Sequence, residues 1–303
     1  MIETHKRGFK RKTIIEAIEA KVDEWTATLP KELAAEVKES YILTGGAIPS
    51  MLMGDLPNDY DFYFQNTSVV KKLAEHYLSS LVTGDLGNNN ISVEEKPGRV
   101  RIVIKSAGYL EEGVNQSGYR YFESLSQEEV AKYFKRQKHI RENPRPSYKA
   151  HYISGNCISL DGGVQIVMRF IGDPETVHKT YDFVHATSYY TKESGLVLKQ
   201  DALESILAKE LKYVGSLYPV CSMFRMRKFI KRGWTINAGE MFKIAYDISK
   251  LNLDDFNVLQ DQLIGVDTAY FTELLNILNG KTDREIDRTY LFELVNRVFE
   301  ENI

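Results

Sequence analysis

The sequence predicts an α+β protein. A head with a mixed β-sheet flanked by helices is expected over residues 1–198, followed by an all-helical C-terminal region over 199–303. Two patterns carry this. Between residues 41 and 171, short aromatic and β-branched runs alternate with amphipathic stretches and are bounded by Gly, Pro and Asp turns. Beyond residue 200, apolar spacing near 3.6 recurs in 201–215, 219–232, 237–250, 268–279 and 288–301. There is no internal repeat and no low-complexity tract.

Taken in order, TIIEAIEAKVDEWTA (13–27) spaces Ile14, Ile15, Ala17, Ile18, Val22 and Trp25 at helical intervals, and PKELAAEVKES continues as a second short helix. YILTGG is a short buried strand that ends at glycine. AIPSMLMG is apolar and compact, a helix whose start tolerates Pro49. YDFYF is a strand by aromatic content, and SVVKKLAEHYLSSLV is an amphipathic helix. NISVEE and RVRIVIKS, separated by the turn-forming KPGR, should pair as a hairpin. Residues 106–150 form an expected insertion with a basic helix starting at Ser126, whose Ser-x-x-Glu to Glu129 is a capping box. CISL and VQIVMRF flank Asp161-Gly162-Gly163, a strong hairpin signal.

Composition excludes several classes. With 43% apolar residues and a net charge of −3, the chain can bury a core and is not an indiscriminate polyanion binder. No run reaches the roughly 18 apolar residues of a membrane span, and the charged start lacks an apolar signal region. A cytoplasmic protein without membrane attachment is expected. Cys157 and Cys221 lack any zinc or CxxC spacing, so both are expected as buried thiols. His139, His151 and His178 form no metal spacing.

Residues 44–66, TGGAIPSMLMGDLPNDYDFYFQN, carry the chemistry. In a strand, Asp59, Asp61 and Tyr63 share one face while Tyr60, Phe62 and Phe64 share the other. The two carboxylates then project together with Cα atoms about 7 Å apart. Paired acids repel unless a cation lies between them, and hard oxygen donors select Mg²⁺ or Mn²⁺ over zinc. Gly45 and Gly46 let backbone approach a ligand closely, and the helix start behind them can face a phosphate. Phosphoryl or nucleotidyl transfer follows as the expected chemistry. Farther along, Lys209, Lys212, Arg225, Arg227, Lys228, Lys231 and Arg232 interleave with Tyr213, Tyr218, Phe229 and Trp234, a mixture suited to phosphates and stacked bases. Lys135, Arg136 and Lys138 of the insertion form a second basic face, also a candidate for RNA.

TGGA, eleven intervening residues and DYDFYF resemble the signature of the polymerase β-type nucleotidyltransferase superfamily. VQIVMRF, YDFVHATSYY and FRMRKFIKRGWTI are similar, in the same order, to segments of class II CCA-adding enzymes and bacterial poly(A) polymerases. The resemblance implies a nucleotidyltransferase-like head. It also implies Asp59 and Asp61 as catalytic metal ligands for Mg²⁺ or Mn²⁺ and an NTP substrate. Nucleotide contacts are implied from Gly45, Gly46, Arg169, Arg225 and Lys228, while Arg227, Lys231 and Arg232 are expected RNA contacts from the basic and aromatic mixture above. A third carboxylate is expected; Gln165 stands where the family has an acid, which leaves Asp182, Asp161 and Glu95, with Asp182 favoured as catalytic. The family's double Arg before that Asp is Thr180-Tyr181 here, and YPVCSMF lacks its base-reading Asp and Arg.

The expected activity is therefore transfer of NMP from NTP to an RNA 3′ hydroxyl, with a tRNA-like end as acceptor. Transfer to a protein or small-molecule hydroxyl is the alternative of the same chemistry. A non-catalytic fold that binds RNA or a partner is the alternative of another class.

Overall fold

The computed structural model describes residues 7–79, 92–103, 108–112, 117–121 and 146–263. The chain begins with α1 (Arg11–Thr26) and α2 (Lys31–Ser40), then β1 (Tyr41–Thr44), α3 (Ala47–Leu52), β2 (Tyr60–Phe64) and α4 (Thr67–Ser79). Next come β3 (Ser92–Lys96), β4 (Arg99–Val103), β5 (Gly108–Glu112), β6 (Ser117–Tyr121), β7 (Ala150–Ile153), β8 (Cys157–Leu160) and β9 (Val164–Ile171). A short α5 (Pro174–His178) leads to the hairpin β10 (Tyr189–Thr191) and β11 (Gly195–Val197), and then to α6 (Gln200–Ala208), α7 (Pro219–Lys231), α8 (Ala238–Ser249) and α9 (Phe256–Leu263).

Among the described residues, nine strands form one sheet in the order β11-β10-β1-β2-β9-β8-β7-β5-β6, and β3 and β4 form a separate hairpin. The β2–β9 pair is parallel and its neighbours β1–β2 and β8–β9 are antiparallel, so the sheet is mixed. The α+β class is thus observed. Both predicted hairpins form, and Gly162 and Gly163 take φ of 84° and 77° in the β8–β9 turn, a backbone that a side chain resists. The expected insertion supplies β5 and β6 to the sheet edge through pairing of β5 with β7. Its basic helix lies outside the described residues, as do the helical patterns at 268–279 and 288–301.

One sheet face carries the main core. Ile14, Ile18, Val22 and Trp25 lie on one stripe of α1, as their spacing dictates, and meet Phe62 and Phe64 of β2 together with Val70, Leu73 and Tyr77 of α4. The Trp25 and Phe62 ring centroids are 4.9 Å apart, and the Trp25 indole N–H donates to the Tyr77 hydroxyl at 2.9 Å. A second core joins Phe183, Ile206, Leu211, Tyr213, Trp234 and Ile244 under the C-terminal helices. Among the described residues three helix starts are capped by side chains: Asn66 accepts from the Val69 N–H, Asp173 from the Thr176 N–H and Asn237 from the Glu240 N–H.

The helical spacing of 201–215 stops early. α6 ends at Ala208 because Lys209 turns left-handed at φ 49°, and the chain after it bridges Glu210 to Thr235 and Tyr213 to Phe183. β10 and β11 fall in a stretch whose few residues are too short to display alternation, and α9 lies between the helical patterns read from spacing. Cys157 and Cys221 are both buried thiols outside any disulfide. No helix among the described residues is long and apolar enough to cross a membrane.

Replacing Trp25 with alanine is expected to lower the unfolding free energy by about 3–5 kcal/mol, seen as an earlier urea midpoint at unchanged slope. Trp25→Phe keeps most of the ring and loses the bond to Tyr77, so its loss should be clearly smaller.

Candidate functional site

The register of three strands assembles the site. Thr44 at the end of β1 lies opposite Asp61 of β2, and Asp61 lies opposite Gln165 of β9. Gly45 therefore begins its turn directly under the Asp61 side chain. Its φ is +88°, and a Cβ built on it would stand 2.7 Å from Asp61 Oδ2. Glycine is required there twice, by backbone conformation and by contact. Gly46 has an ordinary φ of −72°, and nothing lies within 4 Å of a Cβ built on it. Asp59 precedes β2 beside the Gly162–Gly163 turn, where a Cβ on Gly163 would come within 3.0 Å of the Asn58 carbonyl.

These groups open into a cleft of about 1290 Å³. Gly45, Gly46, Asp59, Asp61, Tyr63 and Gln165 border it on the sheet side, so the expected sharing of a face by the two acids and Tyr63 holds. Across from them stand Arg225, Lys228 and Arg232, which α7 and its end present with Phe229 at intervals of three and four residues. Lys209, Trp234, His185 and Asp182 complete that side. Arg227 and Lys231 lie elsewhere on the same helix and do not border the cleft. Lys135, Arg136 and Lys138 lie outside the described residues.

Arg169 does not border the cleft. Period-two alternation would put it beside Gln165 and Val167, but the β2–β9 register shifts between Phe62 and Phe64, opposite Ile166 and Ile171. Phe170 takes the cleft-facing place, and the Arg169 guanidinium lies over the Tyr218 ring at 4.4 Å with Asp261 at 3.8 Å. Of the three candidates for a third carboxylate, only Asp182 reaches the cleft. Its carboxylate accepts from Arg225 Nη1 at 2.6 Å, with both side chains largely buried, so its charge is already countered. Asp161 instead accepts from the Ser147 N–H and hydroxyl, and Glu95 from the Thr67 hydroxyl. Among the described residues, no three His, Cys, Asp or Glu side chains come together as a metal cluster. The acids that border the cleft around β2 are Asp55, Asp59 and Asp61, beside the amide of Gln165.

Support behind the site is polar and buried, and the sequence did not announce it. The Gly45 N–H donates to the Ala186 carbonyl at 3.1 Å, which commits that N–H to the fold and turns the expected phosphate contact toward Gly46 and the first turn of α3. Lys199 Nζ, which can only donate, lies 3.2 Å from His178 Nδ1, so the ring carries its proton on Nε2 and donates to the Thr44 hydroxyl at 2.9 Å. Thr44 in turn donates to the Ser188 carbonyl at 3.0 Å. Burial first, and Lys199 second, push His178 down to about 4, so this chain runs through a neutral imidazole. Tyr63 and Tyr181 hydrogen-bond to one another beside Asp61; burial, then the neighbouring acidic groups, raise both hydroxyls above their ordinary range. His185 is likewise held at about 4, by burial, against the partial opposition of Asp182.

A strand that ends at a glycine pair, a short helix and a returning antiparallel strand with acids at and just before its start give the order expected from the resemblance to a nucleotidyltransferase-like head. The family follows from comparison of the chain itself. A family model described as "Gad2: Gabija anti-defense 2 family protein" matches residues 16–209, and the chain belongs to this family. The chain is 24% identical over 149 residues to "Gabija anti-defense 2" of Bacillus phage SPbetaL7, a match that spans 45% of this chain and 37% of that protein. Among solved structures it is similar to the Thermotoga maritima CCA-adding enzyme complexed with tRNA at TM-score 0.40 and 10% identity, over 86% of this chain and 56% of that one. It is similar to an apo CCA-adding enzyme at TM-score 0.39 and 11% identity, over 85% and 49%. A tRNA nucleotidyltransferase complexed with a primer tRNA and an ATP analog gives 0.35 and 14%, over 90% and 61%. The chain thus spans only part of each relative's length.

Two outcomes test the geometry without an activity assay. Gly45→Ala should lower thermal stability, by about 1–2 kcal/mol from its backbone alone, whereas Gly46→Ala should cost no more than about 1 kcal/mol. A loss of equal size at both positions would contradict the contact with Asp61. The second concerns pH. His178 and His185 are depressed in the fold from an ordinary 6.5 to about 4, so the stability they confer is complete above pH 6.5 and drains as pH falls toward 4. Protonating each ring costs the fold up to on the order of 3 kcal/mol, and urea midpoints measured from pH 7.5 to 4.5 should fall accordingly, less steeply in His178→Gln.

Proposed function

We propose that this chain transfers a nucleoside monophosphate from an NTP to an acceptor hydroxyl, and that it does so to counter a Gabija defence, as the name of its family implies. The observation that carries the reading is the packing of the Asp61 carboxylate onto the bare Cα of Gly45, with Asp59 and Gln165 alongside and cations across the cleft. In the step itself, the acceptor oxygen bonds to the α-phosphorus as the bond to pyrophosphate breaks, and the hydroxyl proton passes to solvent.

The carboxylates fit a hard divalent cation, because they are oxygen donors held on one face with room made by glycine. Asp59 and Asp61 would hold Mg²⁺ or Mn²⁺, which supplies charge neutralisation at the phosphates. Lys228 and Arg232 draw the polyphosphate across the cleft, and Arg225 holds Asp182 while lending its remaining field to the same side. Gly46 and the first turn of α3 offer backbone to an oxyanion.

An RNA 3′ hydroxyl is the acceptor that a cationic, aromatic face supports best. A protein hydroxyl is the second reading, favoured by Leu56 and Leu207, which border the cleft at 79% and 85% exposure and give its mouth an apolar lip. The test is incubation with each α-labelled NTP, Mg²⁺ and lysate from cells that carry a Gabija system. Label should enter RNA, or a protein band in the second reading, and should vanish with Asp59→Ala or Asp61→Ala. Incorporation that survives both substitutions, or no incorporation from any of the four nucleotides, would overturn the proposal.

A further inference from the structure

His185 is polar, only 3% exposed, and borders the cleft, yet its Nδ1 has no hydrogen-bond partner. A buried polar atom left without a partner opposes folding, and such atoms are few in native proteins. The ring is held among aromatics: Phe229 stands edge-on at 4.6 Å and 81°, and Trp234 lies at 4.7 Å. Phe229 and Lys228 are adjacent on the face of α7 that borders the cleft, so an aromatic surface adjoins the cations that suit phosphates. The segment YPVCSMF, before that face, carries no charged or amide side chain to read a base edge.

We infer that His185 and Phe229 form the nucleobase contact of the cleft, and that this contact selects purines over pyrimidines while accepting adenine and guanine alike. The inference rests on the nucleotidyl-transfer reading and names its nucleotide. Phe229 offers area, and a purine, with two fused rings, covers more of it than a pyrimidine does. With Nδ1 unpartnered inside the wall, Nε2 is the atom that a base can engage. Burial holds the imidazole neutral, and a neutral ring presents a donor or an acceptor at that atom by exchange of tautomer. The 6-amino group of adenine and the 6-oxo group of guanine are therefore both satisfied.

The chain contains two tryptophans, which supply a binding signal independent of catalysis. Trp25 is fully buried in the main core, whereas Trp234 packs on His185, so a base seated there should alter Trp234 emission alone. The full chain is titrated with ATP, GTP, CTP and UTP in the presence of Mg²⁺, with Trp234→Phe as the blank. ATP and GTP should half-saturate within about twofold of each other and about tenfold below CTP and UTP. His185→Ala should weaken purine binding about fivefold to tenfold, and His185→Phe, which keeps the ring volume, should do so without loss of thermal stability. Equal half-saturation by all four nucleotides, or a purine preference unchanged in both His185 variants, overturns the inference and leaves nucleotidyl transfer standing. No binding of any nucleotide overturns both.

Discussion

The register of β2 is the constraint on which the rest of the site depends. Tyr60–Phe64 is paired on both sides, antiparallel to β1 and parallel to β9, and those pairings place Thr44, Asp61 and Gln165 in one row across the sheet. A slip of one residue would exchange the faces, sending Asp61 into the core and Phe62 into the cleft. The core resists that exchange. Phe62 and Phe64 are fully buried against Trp25 and the α4 side chains, so a slip would both expose these rings and bury a carboxylate, and each opposes it. Hydrophobic packing on one face thus holds the acids on the other, and glycine at position 45 is what lets the turn pass beneath them.

Charge in the cleft is divided by element. The acids come from the sheet and the loop before it, and the cations from α7 and the chain after α6. Asp182 is the exception: it comes from the segment after α5, stands on the side of the cations and pairs there with Arg225, which ties that segment to the helical region. Breaking so largely buried an ion pair is costly. The Lys199–His178–Thr44 chain does comparable work beneath the glycine turn, and it depends on a neutral imidazole that burial guarantees.

Much of the local structure was legible in the sequence because it is local. The strand, glycine pair, short helix and acidic strand appear where the alternation of Asp59, Asp61 and Tyr63 against Tyr60, Phe62 and Phe64 puts them, and Asp161-Gly162-Gly163 makes its turn. What could not be read depends on contacts distant in the chain. Arg169 leaves the cleft through a strand irregularity that period two does not encode. The commitment of Asp182 to Arg225 joins residues 43 apart, and the helix after residue 200 ends at a left-handed lysine where a glycine would have given warning. β10 and β11 have three residues each, too few for periodicity, and exist because β10 pairs with β1.

The departure at Thr180-Tyr181 has a physical consequence. Where the resembling enzymes carry two arginines, this chain places a threonine and a tyrosine at the cleft, and Tyr181 uses its hydroxyl on Tyr63 and Thr44. A neutral hydroxyl pair beside Asp61 adds no positive charge to the sheet side, and burial keeps it protonated. Under the proposed transfer, the anion would be met by the cations across the cleft from the acids: Lys209 after α6, and Arg225, Lys228 and Arg232 of α7 and its end, with Arg225 paired to Asp182. A substrate held so would be anchored by its tail on the helix and reach back to the carboxylates with its α-phosphate. That arrangement suits a site in which the helical region, and not the sheet alone, decides when the nucleotide is seated.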